Sequence, residues 1–181
     1  MLPECSKRSY VSENEYTALM GYAKDVKEDI VEVGIFRGGT LEGFAQVNNN
    51  VSVWGIDLGQ RGDAINPVNI YEIWIRKYGN CFIVIGDSMI VGKHWKSPVG
   101  FIFIDGDHSR AKEDLEAWYP CITRGGIIAF HDAFIDIIRP TLNNMGCQGL
   151  SPIVCVVEDL KLNSDYEYIE TVDSTVFFRK K

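Results

Sequence analysis

The sequence contains no apolar run long enough to cross a membrane, because its longest apolar stretches fall far short of the ~20 residues that a span needs. It also lacks an excess of positive charge, since 18 Lys and Arg residues stand against 25 Asp and Glu residues, for a net charge of −7. A negatively charged protein gains no electrostatic attraction to nucleic acid. We therefore expect neither a membrane nor a nucleic acid as a partner.

The five cysteines include no CxxC pair and, with only three histidines, no spacing typical of a zinc site. Cys81 and Cys155 stand in apolar settings, which predicts reduced thiols packed in a core. The first ten residues lack the apolar centre of a secretory signal. Together these absences predict a cytoplasmic protein.

Short apolar runs alternate with helical patterns along the 181 residues. Strands are predicted at 30–35, 51–58, 81–87, 99–106, 125–132, 151–159 and 174–181, and helices at 40–47, 71–78, 109–119 and 134–143. The central strands are apolar on both faces, as in a parallel sheet covered by helices on both sides. The alternation predicts a doubly wound α/β fold, and the last two strands, with no long helix between them, predict an edge hairpin with one antiparallel strand.

Ligands of doubly wound sheets bind outside the carboxyl ends of the strands. The first strand ends in E-x-G-x-x-x-G-G, which spans Glu32, Gly34, Gly38 and Gly39. Glycines let a ligand approach the backbone closely, and the following helix N-terminus attracts polar ligand groups. The spacing differs from the dinucleotide pattern G-x-G-x-x-G. The alternative interpretation is a turn that only permits tight packing of strand against helix.

Acidic residues also close the second and third strands. Asp57 follows Gly34 by 23 positions and can accept hydrogen bonds from both hydroxyls of a ribose, although a lone Asp at a strand end is often a turn or cap residue. Asp87 and Ser88 follow the third strand. They suit either an adenine amino group or the N-cap of a helix.

The fourth strand runs into Asp105, Asp107 and His108, and the fifth into His131 and Asp132. If these strands are neighbours, they lie ~4.8 Å apart, and Asp105 and Asp132 can share one cation. Carboxylate oxygens suit Mg²⁺, Mn²⁺ or Ca²⁺, and a nearby imidazole shifts the preference towards Mn²⁺, Fe²⁺ or Zn²⁺. A helix cap explains one of these carboxylates but not three.

The segments IVEVGIFRGGT, WGIDLG, GDS and FIFIDGDHSRAKEDLEAWYPCITRGGIIAFHD together resemble the class I S-adenosylmethionine-dependent methyltransferases over residues 30–135. The last segment is similar to the macrocin O-methyltransferase-like and cephalosporin-hydroxylase-like subgroup. The resemblance implies a Rossmann-like fold with a mostly parallel seven-stranded sheet, helices on both faces and an antiparallel edge strand. It implies a single domain over 1–181, with an N-terminal helical segment over 1–29 and the core over 30–181.

The resemblance also implies roles for individual residues. The cofactor-binding positions it implies are Glu32, Gly34, Gly38, Gly39, Thr40, Asp57, Asp87, Ser88 and Asp105. The metal positions are Asp105, His131 and Asp132, for Mg²⁺ or Mn²⁺, with the role of His131 the least regular in the group. Asp107 matches the position of a general base, and His108 is the second candidate.

The expected reaction is metal-assisted O-methylation of a small hydroxylated acceptor, such as a sugar or a natural-product-like compound. Only 1–29 and 136–150 are available to cover the acceptor, so a second subunit of a homo-oligomer is the other possible lid. A metal-dependent glycosyltransferase is an alternative, but it leaves the glycine turn and Asp57 without a role. A nicotinamide oxidoreductase is disfavoured by the glycine spacing. A non-catalytic S-adenosylmethionine binder is the third alternative.

Overall fold

Seven strands form one sheet in the computed structural model, which describes residues 2–59, 66–133 and 152–181. The strands are β1 (Asp29–Val33), β2 (Val53–Asp57), β3 (Cys81–Ile85), β4 (Val99–Ile104), β5 (Ile122–Phe130), β6 (Tyr166–Val172) and β7 (Thr175–Lys180). Their order is β3-β2-β1-β4-β5-β7-β6. The first five strands are parallel, and β7 is antiparallel to both of its neighbours. The predicted doubly wound, Rossmann-like sheet is confirmed.

The chain order reverses between β1 and β4, because β2 and β3 lie on one side of β1 and β4 and β5 on the other. Backbone pairing continues past the strand ends: the Gly34 amide donates to the Ile56 carbonyl, the Asp105 amide to Val33, and the His131 amide to Ile104. These bonds hold the first residues after β1, β4 and β5 at one level. Such a switch point is where doubly wound folds bind ligands.

Helices cover both faces of this sheet. They are α1 (Glu13–Ala23), α2 (Gly39–Val47), α3 (Pro67–Ile70), α4 (Ser88–His94), α5 (Ala111–Trp118) and α6 (Pro152–Leu162), with short 3-10 turns at Glu4–Arg8, His108–Arg110 and Tyr119–Cys121 and a π turn at Tyr71–Ile75. Ser12 starts α1 with a capping box that includes Glu15. Along α5, Ala111, Leu115 and Trp118 are all buried, as their helical spacing predicts.

The hydrophobic core consists of two layers, one on each face of the sheet. Alternate residues of β4 enter opposite layers, with Ile102 and Ile104 in one and Phe101 and Phe103 in the other. The first layer packs against α5 and α6, and the second against α1 and α2. Fully burying aromatic and aliphatic side chains contributes about 1.5–3 kcal/mol each. The burial on both faces explains the uninterrupted apolar sequence of the central strands.

The strand predicted at 151–159 is wrong, because this segment forms α6. Its β-branched residues favour a strand, but Ile153, Val156, Val157 and Leu160 recur at helical spacing and are buried together against the sheet. Strand β6 was not predicted; it forms the edge hairpin with β7 in place of the 151–159 segment. The helix predicted at 134–143 lies outside the described residues.

Two smaller expectations concern cysteine burial and membrane spans. Cys81 is buried, as predicted, whereas Cys155 is only half-buried. Among the helices that the structure describes, none combines the length and apolar character that a membrane crossing requires.

Candidate active site

A cleft opens at the switch point, above the carboxyl ends of β1 to β4; we call it the first cleft. Its walls contain three residues at the end of β1, three at the end of β2, three after β3, three directly after β4, and two more from the following 3-10 turn and α5. They are Val33, Gly34, Phe36, Ile56, Asp57, Leu58, Gly86, Asp87, Ser88, Asp105, Gly106, Asp107, Arg110 and Asp114. Five of the nine predicted cofactor-binding residues therefore line one cavity, namely Gly34, Asp57, Asp87, Ser88 and Asp105.

Gly34 forms the floor of the first cleft, between the ends of β1 and β4. Its φ of +85° lies in the left-handed region that favours glycine. A Cβ atom at this position would lie 2.5 Å from the Asp105 carbonyl oxygen. The backbone approach between these two strand ends therefore requires glycine, as the pattern in the sequence indicates.

Asp57 lies on the β2 side of the first cleft and is half-buried. One carboxylate oxygen accepts a hydrogen bond of 3.0 Å from the Ile35 amide, and the other accepts one of 2.7 Å from the Gly59 amide. A carboxylate has about four lone-pair positions. Asp57 therefore stabilises the turn after β1 and keeps acceptor capacity that faces the cleft.

Asp87 and Ser88 both have structural partners as well as a place in the cleft wall. The Asp87 carboxylate caps α4 through the Met89 amide and forms a 2.9 Å ion pair with Arg110, whose guanidinium donates to it. This hydrogen bond lowers the pKa of Asp87. The Ser88 hydroxyl accepts a hydrogen bond from the Trp118 indole. The cap interpretation of Asp87 is thus confirmed, and Arg110 is a cleft residue that the sequence motifs did not reveal.

Glu32 and Thr40 lie beneath the first cleft and do not line it. Burial, together with the nearby charge of Asp105, raises the pKa of Glu32 well above its ordinary value, against a hydrogen bond with Thr40 that lowers it. Among the described residues, none hydrogen-bonds to the Glu32 Oε2 atom. A neutral Glu32 is the form that this environment favours.

Gly38 and Gly39 also lie away from the described cleft walls. A Cβ on Gly38, whose φ is +69°, would lie 2.6 Å from the Ile70 side chain. A Cβ on Gly39 would lie 2.3 Å from the Ser9 amide nitrogen. These two glycines allow the close packing of α2 against its neighbours, as the packing interpretation expects, and their approach to a cofactor stays a prediction.

A second cleft adjoins the first on the β5 side. It is lined by Tyr10, Phe36, Asp105, Gly106, Asp107, His108, His131 and Asp132. Phe36, Asp105, Gly106 and Asp107 line both clefts, so a group bound in one lies next to a group bound in the other. Tyr10 and Phe36 were not among the predicted site residues; no pattern in the sequence brings the N-terminal segment to this edge.

His131 is buried between carboxylates at the base of the second cleft. Its Nδ1 atom lies 2.9 Å from Asp105 Oδ1, and its Nε2 atom lies 3.7 Å from Glu15 and 3.8 Å from Asp132. Burial alone lowers the pKa of His131, but the carboxylates of Asp105 and Glu15 outweigh it and raise the pKa to about 10. His131 is therefore an imidazolium at neutral pH.

Glu15 reaches this group from α1, and no motif in the sequence pointed to it. Its Oε1 atom accepts hydrogen bonds from the Ser174 amide and hydroxyl and from the Thr175 hydroxyl. Burial raises its pKa, but His131 and Ser174 outweigh this effect and the pKa is lowered. The N-terminal helix and the start of β7 are thus joined to the site through one carboxylate.

The predicted metal residues are only partly brought together. Asp105, His108 and His131 have ligand atoms within 4.8 Å of one another, whereas Asp132 is not in this group and His108 takes its place. Asp132 has a φ of +51°, and its carboxylate accepts a hydrogen bond from the Ser174 hydroxyl. The Asp132 carboxylate still lies 3.8 Å from the His131 Nε2 atom, so it borders this group without being part of it.

The two candidate bases differ in their surroundings. Asp107 is exposed and caps the turn His108–Arg110, since its Oδ1 atom accepts hydrogen bonds from the Ser109 amide and hydroxyl. His108 lines the second cleft, with Nε2 3.8 Å from Asp105 Oδ1. Both side chains can therefore meet an acceptor in the second cleft.

Comparison with known proteins gives one family and a set of similar structures. The family model described as Methyltransferase domain matches residues 31–133, which is more than half of the chain. This match includes the last three residues of β1, all of β2 to β5, and all the residues that line the two clefts except Tyr10.

Three solved structures illustrate the structural similarity. The O-methyltransferase TomG from Streptomyces achromogenes, solved with SAM, has a TM-score of 0.75 at 14% identity, over 99% of this chain and 91% of that one. The O-methyltransferase from Bacillus cereus, solved with SAH, has a TM-score of 0.73 at 16% identity, over 97% and 86%. CalS11, a TDP-rhamnose 3′-O-methyltransferase of calicheamicin biosynthesis, has a TM-score of 0.61 at 19% identity, over 91% and 77%. At these identities the likeness concerns the fold.

Proposed function

The chain belongs to the family described as Methyltransferase domain, and from this premise we propose that it is a class I S-adenosylmethionine-dependent enzyme that methylates a hydroxyl oxygen of a small acceptor. The observation that carries the proposal is the pair of adjoining clefts. The first has the strand-end residues suited to an adenosine cofactor, and the second shares Asp105, Gly106 and Asp107 with it. Solved structures of this fold with SAM or SAH bound support the cofactor.

The first cleft offers a distinct contact to each part of the cofactor. We assign the ribose hydroxyls to Asp57, the adenine side to Asp87 and Ser88, and the methionine side to the backbone around Gly34, next to Asp105. Glu32 and Thr40 support this floor from below. The bound cofactor supplies an electrophilic methyl group on a sulfonium.

The second cleft positions the acceptor for in-line displacement. A bond forms between the acceptor oxygen and the methyl carbon while the carbon–sulfur bond breaks, and its electron pair stays on sulfur. Holding the two groups in line across the shared wall provides much of the rate enhancement. We assign removal of the hydroxyl proton to His108, because imidazole serves most often as a general base and Asp107 is already engaged as a cap.

The assignment of the base is tested by His108→Gln and Asp107→Asn, which each replace the basic group with an uncharged amide. We expect His108→Gln to reduce kcat by about 10²-fold or more, the usual contribution of a general base, with little change in SAH affinity. Asp107→Asn should have a smaller effect, because its amide oxygen still caps the turn. The reverse ranking would assign the proton transfer to Asp107.

Metal assistance is the second candidate, favoured by the proximity of Asp105, His108 and His131. A set with two imidazoles suits Mn²⁺, Fe²⁺ or Zn²⁺ better than Mg²⁺. The present arrangement does not fit a metal, however, because each nitrogen of His131 already faces a carboxylate: Nδ1 lies 2.9 Å from Asp105 and Nε2 lies 3.7 Å from Glu15. The imidazolium itself supplies the positive charge between the acids. We therefore propose a metal-independent reaction, in which no step uses Mg²⁺ or Mn²⁺.

The direct test of the function is methyl transfer from labelled S-adenosylmethionine to panels of phenols, sugars and amines, read by mass spectrometry. An O-methylated product, lost in His108→Gln, supports the proposal. Cofactor binding without any transfer would favour the non-catalytic binder, and transfer of a sugar from a sugar nucleotide would favour the glycosyltransferase.

Two further expectations remain proposals: a cytoplasmic location and a homo-oligomer whose second subunit covers the second cleft. Light scattering after size exclusion, with and without SAH, tests the second. If the protein is a monomer under both conditions, no second subunit covers the second cleft, and any covering segment must come from the same chain.

A further inference from the structure

The second cleft carries an imbalance of charge that the methyl-transfer reaction does not need. Asp105, Asp107 and Asp132 all line it, and the imidazolium of His131 offsets only one of these three carboxylates. Of the described residues that line this cleft, none is Lys or Arg. Arg110 faces the first cleft and is held by Asp87. The walls therefore attract a cation and repel an anion.

Two aromatic rings, those of Tyr10 and Phe36, form another wall of this cleft. Tyr10 packs edge-on against Phe36, with ring centroids 4.8 Å apart and an interplanar angle of 78°, and Tyr10 is 77% exposed. Phe36 has a φ of +44°, a backbone conformation that non-glycine residues rarely adopt. The Arg37 guanidinium lies 5.1 Å from the Phe36 centroid, which shows that this ring already interacts with a cation.

From these two walls, and resting on the proposed methyltransferase function, we infer that the acceptor is a hydroxylated compound with an ammonium group. Its apolar face packs on Tyr10 and Phe36, and its ammonium group lies towards Asp107 and Asp132. Both an aromatic amine with a phenolic hydroxyl and an aminosugar have this chemistry. Carboxylated and phosphorylated acceptors are disfavoured.

The experiment measures binding of matched compounds to the SAH-saturated protein by calorimetry or ligand-observed NMR. The aromatic set is tyramine, 4-propylphenol and 3-(4-hydroxyphenyl)propanoate, which differ in the charge of the side chain. The sugar set is glucosamine, glucose and glucuronate. We expect the ammonium member of one set to bind at least about tenfold more tightly than its carboxylate member, because the acidic wall attracts the ammonium group and repels the carboxylate. The set that shows the preference identifies the type of acceptor.

Variants test whether the preference for the ammonium compound comes from the carboxylates of the second cleft. Asp132→Asn, at a residue that lines only the second cleft, should reduce the ammonium-to-carboxylate ratio by about threefold with SAH affinity unchanged, and Asp107→Asn should reduce the ratio by a similar factor. Asp25→Asn makes the same charge change at an exposed residue that is not in the cleft and should leave the ratio unchanged. Added salt should reduce the ratio in the wild type. Tyr10→Leu should reduce the binding affinity of the ammonium compound more than that of the neutral compound.

Equal or tighter binding of the carboxylate compound, or no binding of any of the six compounds to the SAH-saturated protein, would overturn this inference and leave the methyltransferase assignment intact. Failure of the protein to bind SAH would instead refute the proposed function. A preference that Asp25→Asn reduces as much as Asp132→Asn would also overturn the inference, since it would reflect net charge alone.

Discussion

The histidine at the base of the second cleft makes stability depend on pH in a predictable way. Removing it in His131→Gln leaves the carboxylates of Asp105 and Glu15 facing each other without the imidazolium between them. Breaking a buried charge pair of this kind costs about 3–5 kcal/mol. We therefore expect a strongly lowered free energy of unfolding at pH 6, where the imidazolium is fully formed in the wild type.

The pH dependence follows from the shift in the pKa of His131 from 6.5 to about 10. A raised pKa stabilises the folded state fully below the unfolded value, and the contribution is lost as pH rises towards the folded value. At about 1.4 kcal/mol per unit, the whole shift has a ceiling of about 5 kcal/mol, and about 2 kcal/mol of it is lost between pH 6.5 and about 8.5. Glu15 has a lowered pKa and contributes in the opposite direction, with its stabilisation lost as pH falls below its ordinary value of 4.5. The combined contribution of His131 and Glu15 to the free energy of unfolding should therefore be highest between about pH 4.5 and pH 6.5.

The assay is urea unfolding of the wild type and His131→Gln at several pH values up to about 8.5. Higher pH is avoided because burial raises the pKa of the Cys81 thiol, which adds its own loss of stability on ionisation. The matched control is His94→Gln, which alters an exposed histidine whose ring contacts the Ile90 carbonyl. The wild type and the control should lose about 2 kcal/mol more across this range than His131→Gln, because the loss that follows from the raised pKa of Glu32 is common to all three proteins. An unchanged slope in His131→Gln, or an NMR titration of His131 near 6.5, would refute the reasoning.

Three other substitutions or additions test the site. Asp57→Ala should weaken SAH binding by about 1–3 kcal/mol, measured by calorimetry on a variant that still melts cooperatively; unchanged affinity would remove Asp57 from the ribose role. Gly38→Ala should lower stability by about 1–2 kcal/mol, because its backbone is left-handed and its Cβ meets Ile70, yet it should keep SAH affinity; loss of affinity in the folded variant would place Gly38 against the cofactor. Mn²⁺ or Mg²⁺ should not raise the melting temperature relative to EDTA; a rise that disappears in Asp105→Asn would establish the metal site instead.

The order of apolar runs and polar strand ends was sufficient to predict the five parallel strands and the edge where the site lies. Each of the five parallel strands is an apolar run that is followed by a polar residue. The sequence pattern alone therefore places Asp57, Asp87 and Asp105 at the edge of the sheet where the carboxyl ends of these strands lie. The same reasoning placed Gly34 there, because the close approach of its backbone to Asp105 excludes a side chain. These features depend on local pattern and on the general geometry of parallel sheets.

Other features depend on packing between distant segments and left no local signal. Glu15 meets His131 only because α1 packs beside the start of β7, and Tyr10 meets Phe36 only because the N-terminal segment crosses the edge of the sheet. The segment 151–159 was misassigned because a short, β-branched apolar run suits a strand and a buried helix equally well. Its helical spacing was the available signal, with exposed charged residues from 158 onwards on the other face.

The central claim is that the first cleft binds S-adenosylmethionine. Calorimetric titration of the protein with SAH, NAD and a sugar nucleotide in parallel tests it most directly. The account predicts saturable 1:1 binding of SAH alone among the three, weakened in Asp57→Ala. Binding of the sugar nucleotide or NAD without binding of SAH would contradict it.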